Sequence, residues 1–172
     1  GMAAKELEKI LEMNNKKYEC FIANDNSNLQ VVVSGLKKDI NLLSDDLNNK
    51  KIKNLKLNVS APFHCKYMKK ASEKMTSYIN DLNMNELKKP IISNVTANET
   101  SSSTEIKSLL ISQIEKKVRW LESVEYMINN GVKNFVEIGP GKVLSGLIKR
   151  INKNVIVNSI NSEEDIKLLT ND

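Results

Sequence analysis

The sequence predicts an α/β protein in two parts: a small ferredoxin-like subdomain over residues 1–58, and a larger α/β subdomain with a parallel sheet over residues 59–172. Two observations lead to this fold class. Apolar residues recur alternately with the period of a helix and with the period of a strand. In the second part, strand-like and helix-like segments alternate, as they do where crossover helices connect parallel strands.

The first 58 residues have the pattern of a ferredoxin-like unit that lacks its opening strand. Apolar spacing predicts one helix over 5–14 and a second with Leu36, Ile40, Leu43 and Leu47 on one face. Two strand-like runs lie between them, 18–23 and 29–34, separated by a turn-rich polar segment. Alternating apolar and polar residues predict a further strand over 52–59. We therefore expect that the chain begins later than the complete unit would.

Helical spacing resumes after Pro62. Apolar residues from Met68 to Leu82 predict a helix of four turns, and Pro90 precedes a short predicted strand over 91–95. The polar run 96–103 is expected to be a loop. The next helix contains Ile106, Leu109 and Leu110, and a capping box from Ser102 to Glu105 is expected at its start.

The last third has a strand–turn–helix–strand pattern. A helix is predicted over 118–130 and ends at Gly131, because glycine readily adopts the left-handed conformation found there. A strand over 135–138 leads into Gly-Pro-Gly, followed by a helix over 143–151 and a closing strand over 155–157. The sequence Gly139-Pro140-Gly141-Lys142 is neither a P-loop nor a dinucleotide fingerprint, so we interpret it as a structural turn.

Composition and charge exclude several function classes. Hydrophobic residues make up 40% of the chain and charged residues 27%, and no apolar stretch is long enough to span a membrane. The net charge of +5 favours an acidic partner, but nucleic acid is not indicated, because basic and aromatic residues do not interleave and zinc-finger spacing is absent. Cys20 and Cys65 form neither a disulfide framework nor a metal motif, which fits a reducing compartment.

His64 and Gln113 are the candidate functional residues. His64 is the only histidine, lies where a predicted strand meets a long helix, and belongs to the residue type best suited to exchange protons near neutral pH. A structural or surface histidine is the alternative, and for a lone histidine it is the more common case. Gln113 extends the apolar face of its helix, so it either needs a buried partner or lies at the helix end in solvent.

A nucleophile to accompany His64 is not evident. The sequence contains neither a Gly-x-Ser-x-Gly nor a Gly-His-Ser-x-Gly elbow. Neither cysteine has the context of a known thiol nucleophile, and the side chain of Cys65 is expected to diverge from that of its neighbour His64.

Several ordered motifs resemble malonyl-CoA:acyl-carrier-protein transacylases. Residues 57–65, Leu-Asn-Val-Ser-Ala-Pro-Phe-His-Cys, followed by Met68-Lys69, are similar to the catalytic-histidine segment of that family. The other matching blocks are 26–27, 30–35, 93–97, 118–120, 123–127 and 137–147. The resemblance covers nearly the whole chain. It implies that residues 59–172 are the C-terminal part of a hydrolase-like large subdomain, and that residues 1–58 belong to a ferredoxin-like small subdomain.

The resemblance implies ping-pong acyl transfer in which a serine carries the acyl group and a histidine acts as its base. His64 would be the catalytic base, and Gln113 would orient it through its backbone carbonyl, an acceptor without a permanent charge. Asn26 corresponds to a substrate-binding position in the cleft. The family's nucleophilic serine, its oxyanion-hole glutamine and its malonyl-binding arginine would all precede Gly1. Arg119 and Arg150 do not match that arginine's motif.

The resemblance also implies the partners. Malonyl-CoA and acyl carrier protein would be the substrates, with no further cofactor, no metal and no membrane, in a monomer of the bacterial cytoplasm, the plastid stroma or the apicoplast. The N-terminal half of the enzyme would be a required partner, and this chain alone would be inactive. Lys66, Lys69 and Lys70 are candidates for docking the acidic carrier protein. A non-catalytic carrier-protein-binding module and an acyltransferase domain of a polyketide-type synthase remain the alternatives.

Overall fold

The computed structural model describes residues 1–170, which form an α/β protein with small sheets. The chain separates into two compact units, Gly1–Ser123 and a second that begins at Val124. This division lies well beyond the predicted subdomain boundary after residue 58. The assignment of residues 1–58 to a ferredoxin-like subdomain therefore stays a prediction.

The first unit begins with helix α1 (Ala4–Met13), strands β1 (Cys20–Ser27) and β2 (Gln30–Gly35), and helix α2 (Lys37–Asn49). All four elements were predicted. The antiparallel hairpin is longer than expected, because β1 continues through the polar segment and leaves only residues 28 and 29 in the turn. Two register irregularities within β1 allow this, since a bulge lets polar residues stay in a ladder.

Both helices pack on the hairpin. One group of buried side chains comprises Tyr18, Cys20, Leu43 and Leu47, and a second comprises Ala4, Leu7 and Ile22. The apolar faces read from the helical and strand periods are therefore the faces that pack in these two groups, which explains why the elements were predictable.

The predicted strand over residues 52–59 is wrong. These residues have no regular secondary structure, and Leu55, Leu57 and Val59 are all exposed. Alternating side chains suit one face of a sheet, but a strand also needs a neighbouring backbone to accept its hydrogen bonds. Within residues 1–170, no strand pairs with this segment.

Helix α3 (Lys69–Asp81) follows a short 3₁₀ helix, Lys66–Met68, and agrees with the predicted long helix. The next strand, β3 (Ile91–Ile92), is shorter than predicted, and part of the predicted loop forms strand β4 (Glu99–Thr100), antiparallel to it. The chain reverses between the two strands at Ala97, which has a φ of +56° and donates its amide to the Ser93 carbonyl at 2.8 Å.

Helix α4 (Ser103–Ser112) begins at the predicted cap, but only half of the capping box forms. The Ser102 hydroxyl accepts a hydrogen bond from the Glu105 amide at 3.2 Å. The Glu105 carboxylate does not return this bond and instead accepts one from the Thr100 hydroxyl. Thr100 thus competes for the carboxylate and also accepts from the Ser102 amide at 3.3 Å.

Helix α5 (Trp120–Asn129) crosses the division between the units and ends before Gly131, whose φ of +90° agrees with its predicted role. The second unit continues with β5 (Asn134–Ile138), α6 (Val143–Ile151) and β6 (Ile156–Ile160). β5 and β6 pair in parallel along their full length, as the crossover pattern predicted. A final helix, α7 (Glu163–Thr170), was not predicted.

Substitution of Leu43 by Ala tests the packing of α2 on the hairpin. Leu43 is 3% exposed, whereas its neighbour Leu42 is 40% exposed. We expect Leu43→Ala to lower the free energy of unfolding by about 2–5 kcal/mol through lost burial and a cavity. Leu42→Ala, the matched control, should change it by about 0.5 kcal/mol or less. Denaturant titration measures both values, and equal losses would contradict this packing.

Candidate active site

His64 lies in a tight, irregular turn ahead of the 3₁₀ helix. Its φ is +60°, a left-handed conformation that costs a residue with a side chain roughly 1–3 kcal/mol and persists only where surrounding contacts compensate for that cost. The Ser34 hydroxyl donates to the carbonyl of Phe63, and the Cys65 thiol donates to the Pro62 carbonyl at 3.1 Å. The turn is therefore fixed on both sides of the histidine. The strand expected before His64 is absent, whereas the helix expected after it is present.

One hydrogen bond defines the histidine ring. Nδ1 of His64 lies 2.8 Å from the backbone carbonyl oxygen of Gln113. Because a carbonyl can only accept, Nδ1 carries a proton, and in the neutral form of the ring the lone pair is on Nε2. Among the contacts of residues 1–170, Nε2 has no protein partner. The ring therefore presents a proton acceptor outward while its other nitrogen is held.

Gln113 is the residue that ends α4. Its carbonyl belongs to the last turn of that helix, where carbonyls lack intrahelical donors, and His64 supplies one. Its half-buried side chain accepts a hydrogen bond from Asn94 Nδ2 at 3.4 Å. Both alternatives considered for Gln113 are therefore partly true, since it lies at a helix end and its amide also has a partner.

Among the described residues, Asn26 is not hydrogen-bonded to this pair. It is half-buried in β1, within one of the register irregularities. No hydrogen bond in the described part of the chain joins its side chain to His64 or Gln113. The structure thus brings together two of the three predicted site residues, and the substrate-binding role of Asn26 stays a prediction.

A groove of about 430 Å³ opens beside His64. Its apolar lining comes from Leu11, Cys20, Phe21, Ile22 and Cys65, and its charged lining from Glu8, Glu12, Glu115, Lys66, Lys116 and Lys117. Acidic and basic side chains are equal in number here, so the groove does not select for charge by its sum. This lining could not be predicted from local patterns, because its residues come from α1, β1, the turn around His64 and the segment after α4.

At the edge of the groove, Lys66 is already engaged. Its ammonium forms an ion pair with Glu19. The same ammonium nitrogen lies 5.4 Å from the centre of the Phe21 ring and 5.7 Å from the centre of the Tyr67 ring. The hydrogen bond from Lys66 holds the pKa of Glu19 below its usual value, and the hydrogen bond to Glu19 raises the pKa of Tyr67 to about 12. Lys69 lies 3.8 Å from Glu73, and Lys70 is exposed.

The Gly-Pro-Gly turn of the second unit has no free helix end. Gly139 and Gly141 have φ values of +139° and +92°, which only glycine adopts readily. The Glu137 carboxylate accepts from the amides of Leu144 and Ser145 at 3.0 and 2.7 Å, where α6 begins. Hydrogen bonds from Ser145 lower the pKa of Glu137. An internal carboxylate thus occupies the place a phosphate would take, in agreement with a structural turn.

Comparison with known proteins gives the class to which this fold and site belong. The sequence model of the acyl transferase domain matches residues 1–167, and the chain belongs to that family. The resemblance recognised in the sequence motifs is confirmed.

Three similar proteins show how far the likeness extends. It is 41% identical over 165 residues to a malonyl CoA-acyl carrier protein transacylase of Staphylococcus aureus (strain MSSA476), covering 94% of this chain and 52% of the relative. The crystal structure of the acyl-carrier-protein-S-malonyltransferase of Bartonella henselae superposes with a TM-score of 0.93 at 36% identity, over 99% of this chain and 55% of that one. A complex of a type II polyketide synthase acyl-carrier protein with its malonyl-transacylase gives a chain that superposes with a TM-score of 0.91 at 30% identity, over 100% of this chain and 56% of that one.

The chain spans about half the length of the curated relatives it matches. Within residues 1–170, no group of three or more histidine, cysteine or acidic side chains is arranged to hold a metal ion. No described helix is both long enough and apolar enough to cross a membrane.

Thiol alkylation tests whether either cysteine could serve as a nucleophile. Burial raises the pKa of Cys20 from 9.0 to about 12 and also raises that of Cys65. A raised pKa keeps a thiol protonated at pH 8, which for Cys20 means about 10³-fold less thiolate than usual. We expect iodoacetamide to modify both cysteines slowly in the native protein and quickly in urea, as peptide mass spectrometry will measure. Equal rates in the two states would contradict the burial.

Proposed function

We propose that this chain supplies the histidine base of an acyltransferase that moves malonyl from coenzyme A to the phosphopantetheine thiol of acyl carrier protein. The observation that carries the proposal is the 2.8 Å hydrogen bond from His64 Nδ1 to the Gln113 carbonyl, which leaves Nε2 as a proton acceptor. The names of the similar proteins provide the acyl group and the acceptor.

The first half of the proposed reaction acylates a serine. That serine would lie in the Gly-His-Ser-x-Gly elbow implied by the resemblance, a motif that the 172 residues do not contain. His64 Nε2 takes the proton from the serine hydroxyl as its oxygen bonds to the thioester carbon. The carbon–sulfur bond then breaks, Nε2 returns the proton to the departing sulfur, and coenzyme A leaves as the thiol.

The second half transfers malonyl to the carrier protein. Nε2 of His64 takes the proton of the phosphopantetheine thiol, and the sulfur bonds to the carbonyl carbon of the malonyl-serine ester. The carbon–oxygen bond breaks, and the serine oxygen recovers the proton from Nε2. The same histidine thus acts first as a base and then as an acid in each half.

The Gln113 carbonyl suits a base that changes its charge twice per half-reaction. It fixes the Nδ1–H tautomer and the plane of the ring without placing a permanent anion beside it. Asn26 is proposed to contact substrate in the cleft, as the resemblance implies.

Removal of the imidazole tests the proposal. In the full-length enzyme, one that includes the elbow serine, His64→Ala should lower malonyl transfer by on the order of 10²–10⁴-fold or more, because the base and nucleophile act as a unit. Stopped assays of malonyl-carrier-protein formation measure the rate, and circular dichroism checks that the variant is folded. Near-normal turnover by folded His64→Ala would exclude His64 as the base.

The 172-residue chain by itself serves as the control. Its serines, including Ser60 and Ser145, do not occur in an elbow sequence. In residues 1–170, no serine hydroxyl is hydrogen-bonded to His64. Incubation with malonyl-CoA should therefore leave its intact mass unchanged. A stoichiometric malonyl adduct that hydroxylamine removes would show that this chain contains its own nucleophile.

Charge reversal tests the carrier-protein partner. Lys69 and Lys70 begin α3, next to the turn that contains His64, and both are exposed. The Lys69→Glu/Lys70→Glu variant should raise the KM for the acidic carrier protein and weaken its salt dependence, with little change in the KM for malonyl-CoA. Lys38→Glu, on α2, is the control for charge alone. Equal changes for both substrates would argue against docking at α3.

A further inference from the structure

The segment that follows Gln113 is anchored to strand β1 of the hairpin. Val118 pairs with β1 on the side away from β2, since its amide donates to the Ala23 carbonyl at 2.8 Å and its carbonyl accepts from the Asp25 amide at 2.9 Å. The chain therefore runs only four residues from Gln113 before it joins the sheet. Arg119 comes directly after this anchor.

Arg119 donates hydrogen bonds from its backbone amide and its guanidinium to three consecutive carbonyls of the turn between β3 and β4. Its backbone amide donates to the Asn94 carbonyl at 3.0 Å. Its Nη1 donates to the carbonyls of Val95 and Thr96 at 3.2 and 2.8 Å. The other edge of the guanidinium pairs with the carboxylate of Glu122, with Nε 2.9 Å from Oε1. A planar group with five donors can make these bonds together, whereas an ammonium cannot.

The turn held by Arg119 also contacts the residue that holds His64. Asn94 Nδ2 donates to the Gln113 side chain at 3.4 Å, and the Gln113 carbonyl accepts from His64 Nδ1 at 2.8 Å. The guanidinium holds the two residues that follow Asn94 in this turn, and contacts lead on from Asn94 through Gln113 to the imidazole. Arg119 is partly exposed and is not a lining residue of the groove beside His64, so it is placed to act through other residues.

We propose that Arg119 is a positioning residue for His64. Arg119 holds the turn 94–96, and Asn94 in that turn then fixes the last turn of α4 and the Gln113 carbonyl. This inference rests on the proposed function of His64 as the base. Without the guanidinium, the carbonyls of Val95 and Thr96 lose their donor, and only the backbone amide of residue 119 still holds the Asn94 carbonyl. The turn then loosens, and the Gln113 carbonyl loses its fixed direction. The ring then populates the Nε2–H tautomer, in which Nε2 cannot accept a proton.

Four variants of the full-length enzyme test the series of contacts. Arg119→Ala should lower kcat for malonyl transfer by on the order of 10²-fold, the loss that a small misplacement of a catalytic group causes. Arg119→Lys should not restore kcat, because it lacks the planar fork. Asn94→Ala should lower kcat by about tenfold, since one contact is lost. Asn94→Asp should recover most of it, because the Gln113 amide can rotate and donate to the carboxylate. The KM for malonyl-CoA should stay nearly unchanged throughout.

A spectroscopic measurement separates positioning from general stability. Nitrogen chemical shifts of ring-labelled histidine report the tautomer, and the His64 signals are assigned by their loss in His64→Gln. In Arg119→Ala and Asn94→Ala these signals should move from the Nδ1–H toward the Nε2–H tautomer. Lys107→Ala is the matched control, because Lys107 donates to the Asn80 carbonyl at 2.7 Å from α4 but away from its last turn. In Lys107→Ala, neither the tautomer of His64 nor kcat should change.

The possible failures can be told apart. High activity in His64→Ala would remove the proposed function, whatever Arg119 does. Loss of activity in His64→Ala with a wild-type tautomer and kcat in folded Arg119→Ala would overturn the positioning role alone. A fall in kcat shared equally by Lys107→Ala, with no change of tautomer, would reduce Arg119 to a structural residue and also overturn it. If Arg119→Ala does not fold, the two Asn94 variants decide by the same criteria.

Discussion

The hydrogen bond between His64 Nδ1 and the Gln113 carbonyl is the contact on which the candidate active site depends. It joins two segments separated by 49 residues, and it sets the tautomer of a ring that could otherwise adopt either. Two conditions make it possible. α4 has to end at Gln113 so that a carbonyl is left without a helical donor, and the His64 backbone has to adopt its left-handed conformation.

The hairpin of β1 and β2 contributes to both conditions. β2 provides Ser34, whose hydroxyl holds the carbonyl before His64. β1 pairs with Val118, which fixes the chain shortly after Gln113. The two partners of the central hydrogen bond are therefore attached to neighbouring strands of one hairpin. Burial also raises the pKa of both Cys20 and Cys65, so that neither thiol readily loses its proton beside the groove.

Charge near the groove is balanced within the protein rather than left for a ligand. Lys66 pairs with Glu19, Lys117 pairs with Glu8 at 3.4 Å, and the Ser72 hydroxyl donates to Glu115. Exposed pairs of this kind contribute little to stability, but they limit how much any one lysine attracts an anion. Long-range attraction of an acidic partner would therefore depend on lysines without such close partners, in line with the overall charge of +5.

The sequence alone determined the helices packed on the hairpin, the parallel strands of the second unit and the identity of the candidate base, because periodicity and ordered motifs are local properties. It failed at residues 52–59, where alternation predicted a strand but no neighbouring backbone pairs with it in the described chain. The pairing of the Gln113 carbonyl with His64 was expected only through the family resemblance, and periodicity gave no sign of it. Only the tertiary structure decided that Arg119 donates to the carbonyls of residues 94–96. A backbone carbonyl is present at every residue, so which one is left free and what approaches it are settled by packing between distant segments.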